Sequence, residues 1–234
     1  MMEWLRGIDW TAVGAMLSGI GTILGACAVI YAARKGSDTF QQWRRQKHEE
    51  RRIHLAEQIL ALAYKLKQVI RSIRSPMMMA GEIVAVEANL REKGVIDDST
   101  PEGAKGFLIT AQGTLSRSEQ FRDDWNKLVD TMPTAKAIFG DEVEQQLNEF
   151  WNQRHEIIAA AQNYARIRDL PTEVREDLIK KEIARKEKLE KVLWFGFGEN
   201  GADAVAEAVD DAVVTLENLL LPIIRSDTPR GTGI

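Results

Sequence analysis

The longest apolar stretch of the chain lies near its beginning, where the 23 residues from Thr11 to Ala33 include no charged side chain. A helix of this length spans about 35 Å, enough to cross a hydrocarbon core of about 30 Å with some tilt. A signal peptide would open with positive charges, whereas residues 1–10 are slightly acidic and the positive charges follow the stretch. A buried core helix seldom lacks a polar face over this length. We therefore expect residues 11–33 to form a transmembrane helix.

Positive charges are concentrated directly after this stretch. Residues 34–52 hold seven of them, Arg34, Lys35, Arg44, Arg45, Lys47, Arg51 and Arg52. Only Arg6 precedes the stretch, so the positive-inside rule places residues 1–10 outside and the C-terminal side in the cytoplasm. Cations so close to a bilayer also attract anionic lipid headgroups, by about 1 kcal/mol each. Nucleic acid, with Phe40 and Trp43 stacking on bases, is the less favoured partner because residues 76–234 are acidic.

Small side chains recur along one face of the expected transmembrane helix. They are Ser18, Gly21, Gly25, Ala28 and Ala32, at alternating spacings of three and four residues. Lipid tails supply no hydrophobic drive between helices, so close backbone approach at small residues is a main route to association. The alternative is that glycine and alanine are simply frequent in transmembrane helices. We expect a homo-oligomer formed through this face, and no residue of the stretch is polar enough to favour an ion-conducting pore.

Beyond residue 52 the apolar positions follow helical spacings, and no segment shows a convincing strand pattern. A seam of coiled-coil type comprises Leu55, Ile59, Leu62, Leu66, Val69 and Ile73, and a second apolar edge comprises Ile53, Ala56, Leu60, Ala63 and Ile70. Apolar residues on more than one side predict the central helix of a bundle. The expected fold class is all-α, with one N-terminal transmembrane helix followed by a cytoplasmic helical bundle of about five to six helices.

Proline, glycine and charge patterns set the expected boundaries. The segments are an external tail (1–10), the transmembrane helix (11–33), a basic juxtamembrane helix start (34–52), the bundle (53–224) and a disordered tail (225–234). Within the bundle, Ser75-Pro76 is typical of a helix start, and Pro133 and Gly140 are typical of helix breaks. Asp141 with Glu144 resembles a capping box. The expected helices run over about 76–93, 107–129, 141–170, 173–191 and 202–221, with a loop over 95–106.

No motif in the chain predicts a catalytic, cofactor or metal site. The segment Gly196–Gly201 matches G-x-G-x-x-G, but a charged helix precedes it where a dinucleotide site needs a strand. We therefore expect a glycine-rich turn between helices. The histidines His48, His54 and His155 lack the spacings of zinc HExxH sites, bundle di-iron sites and HEPN-type ribonucleases. With Cys27 as the single cysteine, we expect no cofactor, no metal and no enzyme activity.

Arg154 and His155 are the polar pair that most needs an explanation. Arg154 falls in an apolar seam, where an arginine must find a carboxylate or suffer a desolvation penalty. Its candidate partners are Glu57, Glu119, Asp123 and Asp124. A structural ion pair, or a seam edge from which the side chain reaches solvent, is the favoured interpretation. A ligand or partner pocket is the alternative.

Four short segments recur together in a known group of proteins. They are Asp9-Trp10-Thr11-Ala12 before the apolar stretch, Ile73-Arg74-Ser75-Pro76, Ile138-Phe139-Gly140-Asp141-Glu142 and Arg154-His155-Glu156-Ile157. In this order they resemble a group of uncharacterised bacterial proteins with one membrane span and a cytoplasmic helical domain. The resemblance covers most of the chain. It implies a bacterial inner-membrane protein and carries no activity with it.

Three classes of function agree with these patterns. The first is a membrane-anchored interaction or scaffold module, self-associating through its span and binding a protein partner through its bundle. The second is an oligomeric effector of a bacterial defence or stress system that perturbs the membrane. The third is a membrane-bound enzyme with a site near Arg154 and His155. The first needs no chemistry beyond what the sequence predicts, and we favour it.

Overall fold

The computed structural model describes residues 10–167, 176–197 and 202–226, and within these ranges all regular structure is helical. The seven helices are α1 (Trp10–Ile73), α2 (Ala80–Glu92), α3 (Glu102–Gln120), α4 (Arg122–Phe139), α5 (Asp141–Tyr164), α6 (Glu176–Leu193) and α7 (Ala204–Ser226). The predicted all-α class is confirmed. The bundle contains the second part of α1 and helices α2–α7, slightly more than the five to six helices predicted, because the helix predicted over 107–129 is two helices, α3 and α4.

The chain divides into two compact units, Met1–Arg52 and Ile53–Ile234. In the first unit, every side chain whose burial is described is exposed. Its apolar stretch belongs to the one helix of the described ranges that is long and apolar enough to cross a membrane. Wherever its burial is described, that apolar stretch is exposed. An apolar surface of this size requires a solvent or partner outside the chain.

The second unit is built around residues 53–73 of α1. The residues of α1 in its main core are Ala56, Ile59, Leu60, Leu62, Ala63, Leu66, Val69, Ile70 and Ile73, each at most 4% exposed. They pack with buried side chains of α4, α5 and α7, among them Trp125, Phe150 and Leu216. Both predicted apolar edges are therefore buried, and the segment is a core helix of the bundle; α5, which contacts α3, α4, α6 and α7, is another. Leu55 packs at the edge of the same core.

Two smaller clusters extend the bundle at its sides. The first joins the end of α5 to α6 and contains Ala160, Ala161, Tyr164, Ile167 and Leu193. The second contains Val86, Leu90 and Ile96, with Met78, Leu108 and Ile109 packed against it. Helix α2 therefore packs chiefly on α3, through a cluster separate from the main core. Its attachment depends on fewer buried apolar groups than that of α4, α5 or α7.

Several predicted boundaries are wrong. Ser75-Pro76 does not start a helix, because α2 begins at Ala80 and the preceding segment is held by Arg117, which donates to the carbonyl oxygens of Ser75 (2.7 Å) and Met77 (2.7 Å). The helix predicted over 107–129 is two helices that meet at Phe121. The apolar periodicity continues through this single-residue interruption. Loop 95–106 is shorter than predicted, since α3 begins at Glu102.

Pro133 and Asp141 also behave differently from their sequence signals. Pro133 lies inside α4 without ending it. Both Pro133 and Val129, whose carbonyl loses its donor, are exposed, so water can satisfy that carbonyl. Asp141 is the first residue of α5 and no side chain caps this helix; the N-cap is Gly140, with φ +92°. Instead, Lys136 Nζ bridges Asp141 and Glu144, at 3.1 and 2.6 Å.

The charged helix predicted over 173–191 is observed as α6, beginning at Glu176. Glu176 pairs with Lys180 as expected (2.7 Å), whereas Glu182 pairs with Arg185 and Lys186 approaches Glu190. Helix α5 ends at Tyr164, earlier than the predicted end near residue 170. Helix α7 continues to Ser226, past the predicted start of a tail at 225. Residues 1–9, 168–175, 198–201 and 227–234, with the predicted tails and most of the glycine motif, lie outside the described residues.

Candidate functional site

The small-residue face of α1 packs against no other part of the chain that the structure describes. A Cβ atom added at Gly21 or Gly25 would have no neighbouring atom within 4 Å. Ser18, Ala28 and Ala32 are exposed as well. The only contact described here is local, since the hydroxyl of Thr22 donates to the carbonyl of Ser18 at 2.9 Å. Nothing inside the described chain therefore requires small side chains on this face.

The basic segment after the apolar stretch is likewise exposed along its whole described length. All seven predicted headgroup contacts, from Arg34 to Arg52, are exposed, and Lys47 forms a local pair with Glu50 at 2.6 Å. Phe40 and Trp43 are 60% and 54% exposed, with their ring centroids 5.8 Å apart. Exposed aromatic rings among cations on one helix are typical of a segment at a membrane interface.

Arg154 is half-buried between two indole rings. Its guanidinium carbon lies 5.2 Å from the ring centroid of Trp125 and 5.1 Å from that of Trp151, and Nε donates to Ser118 Oγ at 3.2 Å. None of the four carboxylates expected from the sequence forms an ion pair with it among the described residues. Burial lowers the pKa of Arg154 below its usual value. Aromatic faces thus replace the predicted ion pair.

His155 is exposed and does not join Arg154 in a common pocket. Its Nδ1 lies 2.8 Å from the carbonyl oxygen of Trp151, and its ring meets the Trp151 ring edge-on with centroids 4.6 Å apart. Trp151 therefore touches both members of the pair. This arrangement holds an arginine against aromatic rings, and it ties His155 to the backbone and ring of Trp151.

Among the described residues, the most buried polar arrangement is centred on Arg74, at the end of α1. Arg74 is fully buried, and its Nη1 lies 2.8 Å from Oδ1 of Asp203, which is 8% exposed. Arg74 Nε donates to the carbonyl of Val192 at 2.7 Å, and Nη2 donates to those of Lys191 and Trp194 at 3.0 and 3.1 Å. These three carbonyls belong to the C-terminal end of α6, where a cation is favoured.

Asp203 binds the other side of this arrangement. Its Oδ1 accepts the backbone N–H of Ala206 and its Oδ2 that of Gly196, both at 3.0 Å, so it caps the first turn of α7. Burial alone would raise the pKa of Asp203, but these two N–H groups and the Arg74 guanidinium together hold it below its usual value. The ion pair thus joins the ends of α1 and α6 to the start of α7.

This arrangement also bears on the glycine motif. In a dinucleotide site, the N–H groups where a glycine-rich loop opens a helix bind a pyrophosphate. Here the described N–H groups of Gly196 and Ala206 are already bound by the carboxylate of Asp203. No strand precedes the motif in the described ranges, where α6 ends at Leu193. The chain supplies its own anion at this position.

Sequence reasoning missed both Arg74 and Asp203. Two signals were present: Arg74 follows Ile70 by one helical turn and so continues a buried face, and Asp203 stands directly before a helix, at a favoured capping position. Neither signal links the two residues to each other. Within the described ranges, no group of three or more His, Cys, Asp and Glu side chains is arranged to hold a metal ion.

Comparisons with known proteins add no relatives: no family model, curated protein or solved structure matches the chain.

Proposed function

We propose that this protein is a membrane-anchored helical interaction module that self-associates through its N-terminal span. In this proposal residues 11–33 cross a bacterial inner membrane once. Residues 1–10 lie outside, and the basic segment 34–52 rests at the cytoplasmic headgroups. The bundle then faces the cytoplasm and binds a protein partner.

One observation carries the proposal. The apolar stretch is wholly exposed within the chain, and its small residues share one face where Gly21 and Gly25 have no neighbour. Lipid accounts for the exposed apolar surface, since a lipid-exposed helix satisfies its own backbone hydrogen bonds. A second copy of the same helix accounts for the small residues, because close backbone approach is their principal use in lipid.

Self-association is tested by replacing the two central glycines with leucine. The chain carrying Gly21→Leu and Gly25→Leu, reconstituted in lipid vesicles, should lose the oligomer that chemical crosslinking detects in the wild-type chain. Gly19→Leu is the matched control, because it adds the same side chain to the same stretch about 120° around the helix from Gly25. Equal crosslinking of the double variant, or equal loss in the control, would refute association through this face.

Membrane placement and the effector alternative need separate measurements. A cysteine introduced at residue 3 should react with an impermeant thiol reagent added to intact cells, and one introduced at residue 120 should not. The reverse pattern would refute the proposed orientation.

Release of a trapped dye from vesicles by the wild-type chain, abolished by the double glycine variant, would favour a membrane-perturbing effector over an interaction module.

A further inference from the structure

A cavity of about 170 Å³ lies beside the Arg74–Asp203 pair, within the second unit. Its walls come from α1, from the residue Phe195 just after α6, and from the first turns of α7. The space corresponds to roughly six water molecules at about 30 Å³ each, which suits a small organic molecule. Neither the apolar stretch (11–33) nor Arg154 lines this cavity, so the functions considered for those residues do not account for it.

Charges around the cavity do not balance. Lys67 Nζ lies 2.8 Å from Asp210 Oδ1, and Arg74 is paired with Asp203. Arg71, the third cation of the lining, forms no ion pair with a carboxylate of the described residues. The lining holds these three cations and the carboxylate of Asp210, and Asp203 pairs with Arg74 from outside it. Among the described residues, three cations are thus matched by two carboxylates, an excess of about one positive charge that a ligand can neutralise.

Arg71 is also arranged for recognition. Its guanidinium carbon lies 4.5 Å from the ring centroid of Phe195, a contact that limits the freedom of the side chain before any ligand arrives. An arginine held over a ring keeps the N–H groups at the edge of its plane, and these match the two oxygens of a carboxylate. Phe195, Ile70 and Val209 supply apolar lining next to it.

We propose that this cavity binds a small organic carboxylate. The carboxylate group would pair with Arg71, and a short apolar chain would lie against Phe195 and Val209. A singly charged carboxylate neutralises the excess charge of the lining. A phosphate group, with about 1.5 to 2 negative charges at neutral pH, would exceed this excess and face Asp210.

Butyrate is a suitable probe because its six non-hydrogen atoms fit the cavity volume. Isothermal titration of sodium butyrate into the full-length chain in nonionic detergent, at low salt and pH 7, should show saturable binding. A dissociation constant of about 1 mM is within reach of a ligand of this size. Inorganic phosphate, titrated under the same conditions, should bind at least about tenfold more weakly.

Two variants locate the site. Arg71→Gln should weaken butyrate binding at least about tenfold, because a charge-assisted bond to an arginine is lost. The matched control Arg91→Gln removes another exposed arginine, one that pairs with Glu87 and Asp98 outside the cavity, and should bind as the wild-type chain does. Ala206→Leu retains every charge but fills part of the cavity, and should abolish binding.

The proposal is overturned if butyrate shows no saturable binding to the wild-type chain. It is also overturned if Arg71→Gln or Ala206→Leu binds as tightly as the wild-type chain while its circular dichroism spectrum is unchanged. Phosphate binding as tight as that of butyrate would refute the assignment to a carboxylate. Arg71 is exposed, so its replacement leaves the bundle core intact and the comparison valid.

Discussion

Arg74→Met changes side-chain volume little and should nevertheless strongly lower the stability of the bundle. Methionine retains much of the side-chain volume but removes the charge and all of the donors. The change leaves Asp203 as a buried carboxylate without its cation and takes a donor from the carbonyls of Lys191, Val192 and Trp194. Because the ends of α1, α6 and α7 meet here, the loss is not confined to one helix.

The magnitude follows from the burial of the pair. Removing one partner of a buried ion pair leaves an uncompensated charge and destabilises a protein by about 3–5 kcal/mol. Each carbonyl that water does not reach adds about 1 kcal/mol. We therefore expect the free energy of unfolding to fall by about 4 kcal/mol or more, a large part of the roughly 5–15 kcal/mol typical of a domain.

Asp203→Asn separates the charge of the pair from its capping role. Asparagine still accepts the N–H of Ala206, and the three carbonyl bonds of Arg74 remain. This variant should therefore lose less than Arg74→Met, about 3 kcal/mol, by leaving Arg74 buried without an anion. The double variant Arg74→Met with Asp203→Asn buries no unpaired charge. Its loss should be smaller than the sum of the two single losses by about 1–3 kcal/mol.

Urea unfolding of the full-length chain at constant detergent concentration measures these values, with tryptophan fluorescence as the signal because Trp125 is only 1% exposed. Arg91→Met, which removes an exposed arginine, is the control and should leave the urea midpoint close to that of the wild-type chain. A loss below about 1 kcal/mol in Arg74→Met, or strict additivity in the double variant, would show that the pair does not join the three helix ends.

Three further predictions concern other polar contacts. Arg117→Gln should speed hydrogen exchange across α2 while changing global unfolding little, because Arg117 holds Glu82 through contacts of 2.6 and 2.8 Å at the edge of the bundle. The same contacts lower the pKa of Glu82. The protection of α2 in the wild-type chain should therefore be complete above about pH 4.3 and fade as the pH falls below it. Arg154→Leu should cost about 1–2 kcal/mol in urea unfolding and leave the bundle folded, because aromatic contacts rather than an ion pair are lost; complete unfolding would contradict the observed contacts. Burial and the hydrogen bond to Glu190 raise the pKa of Tyr164, so wild-type stability should fall as the pH rises above about 10. Tyr164→Phe should reduce that fall in alkaline urea titrations. An identical fall in both chains would exclude Tyr164 as its cause.

Local patterns in the sequence were sufficient to predict the helical class and the burial of residues 53–73 on two edges. The apolar residues of this segment repeat every three or four positions on two edges, and that spacing directly determines which faces a helix can bury. The small-residue face of α1 could be identified for the same reason. Only the structure shows that a Cβ atom at Gly21 or Gly25 would have no neighbouring atom within 4 Å.

Helix ends were less predictable than helix faces. Ser75-Pro76 has the composition of a helix start, yet the carbonyls of Ser75 and Met77 bind Arg117 from α3. Phenylalanine is not a residue type that predicts a helix break, yet two helices meet at Phe121. In both cases the outcome depends on contacts with distant residues, which override a local preference of about 1 kcal/mol.

The sequence by itself determined an uncharged N-terminal stretch, a basic segment and an all-helical body, because periodicity and charge are properties of neighbouring residues. The tertiary structure alone decided that Arg74 meets Asp203, that Arg154 lies between Trp125 and Trp151, and that a cavity forms beside Arg71. These pairings join residues from different helices. Their energies depend on burial and on distances of a few ångströms, which are established only when the helices have packed.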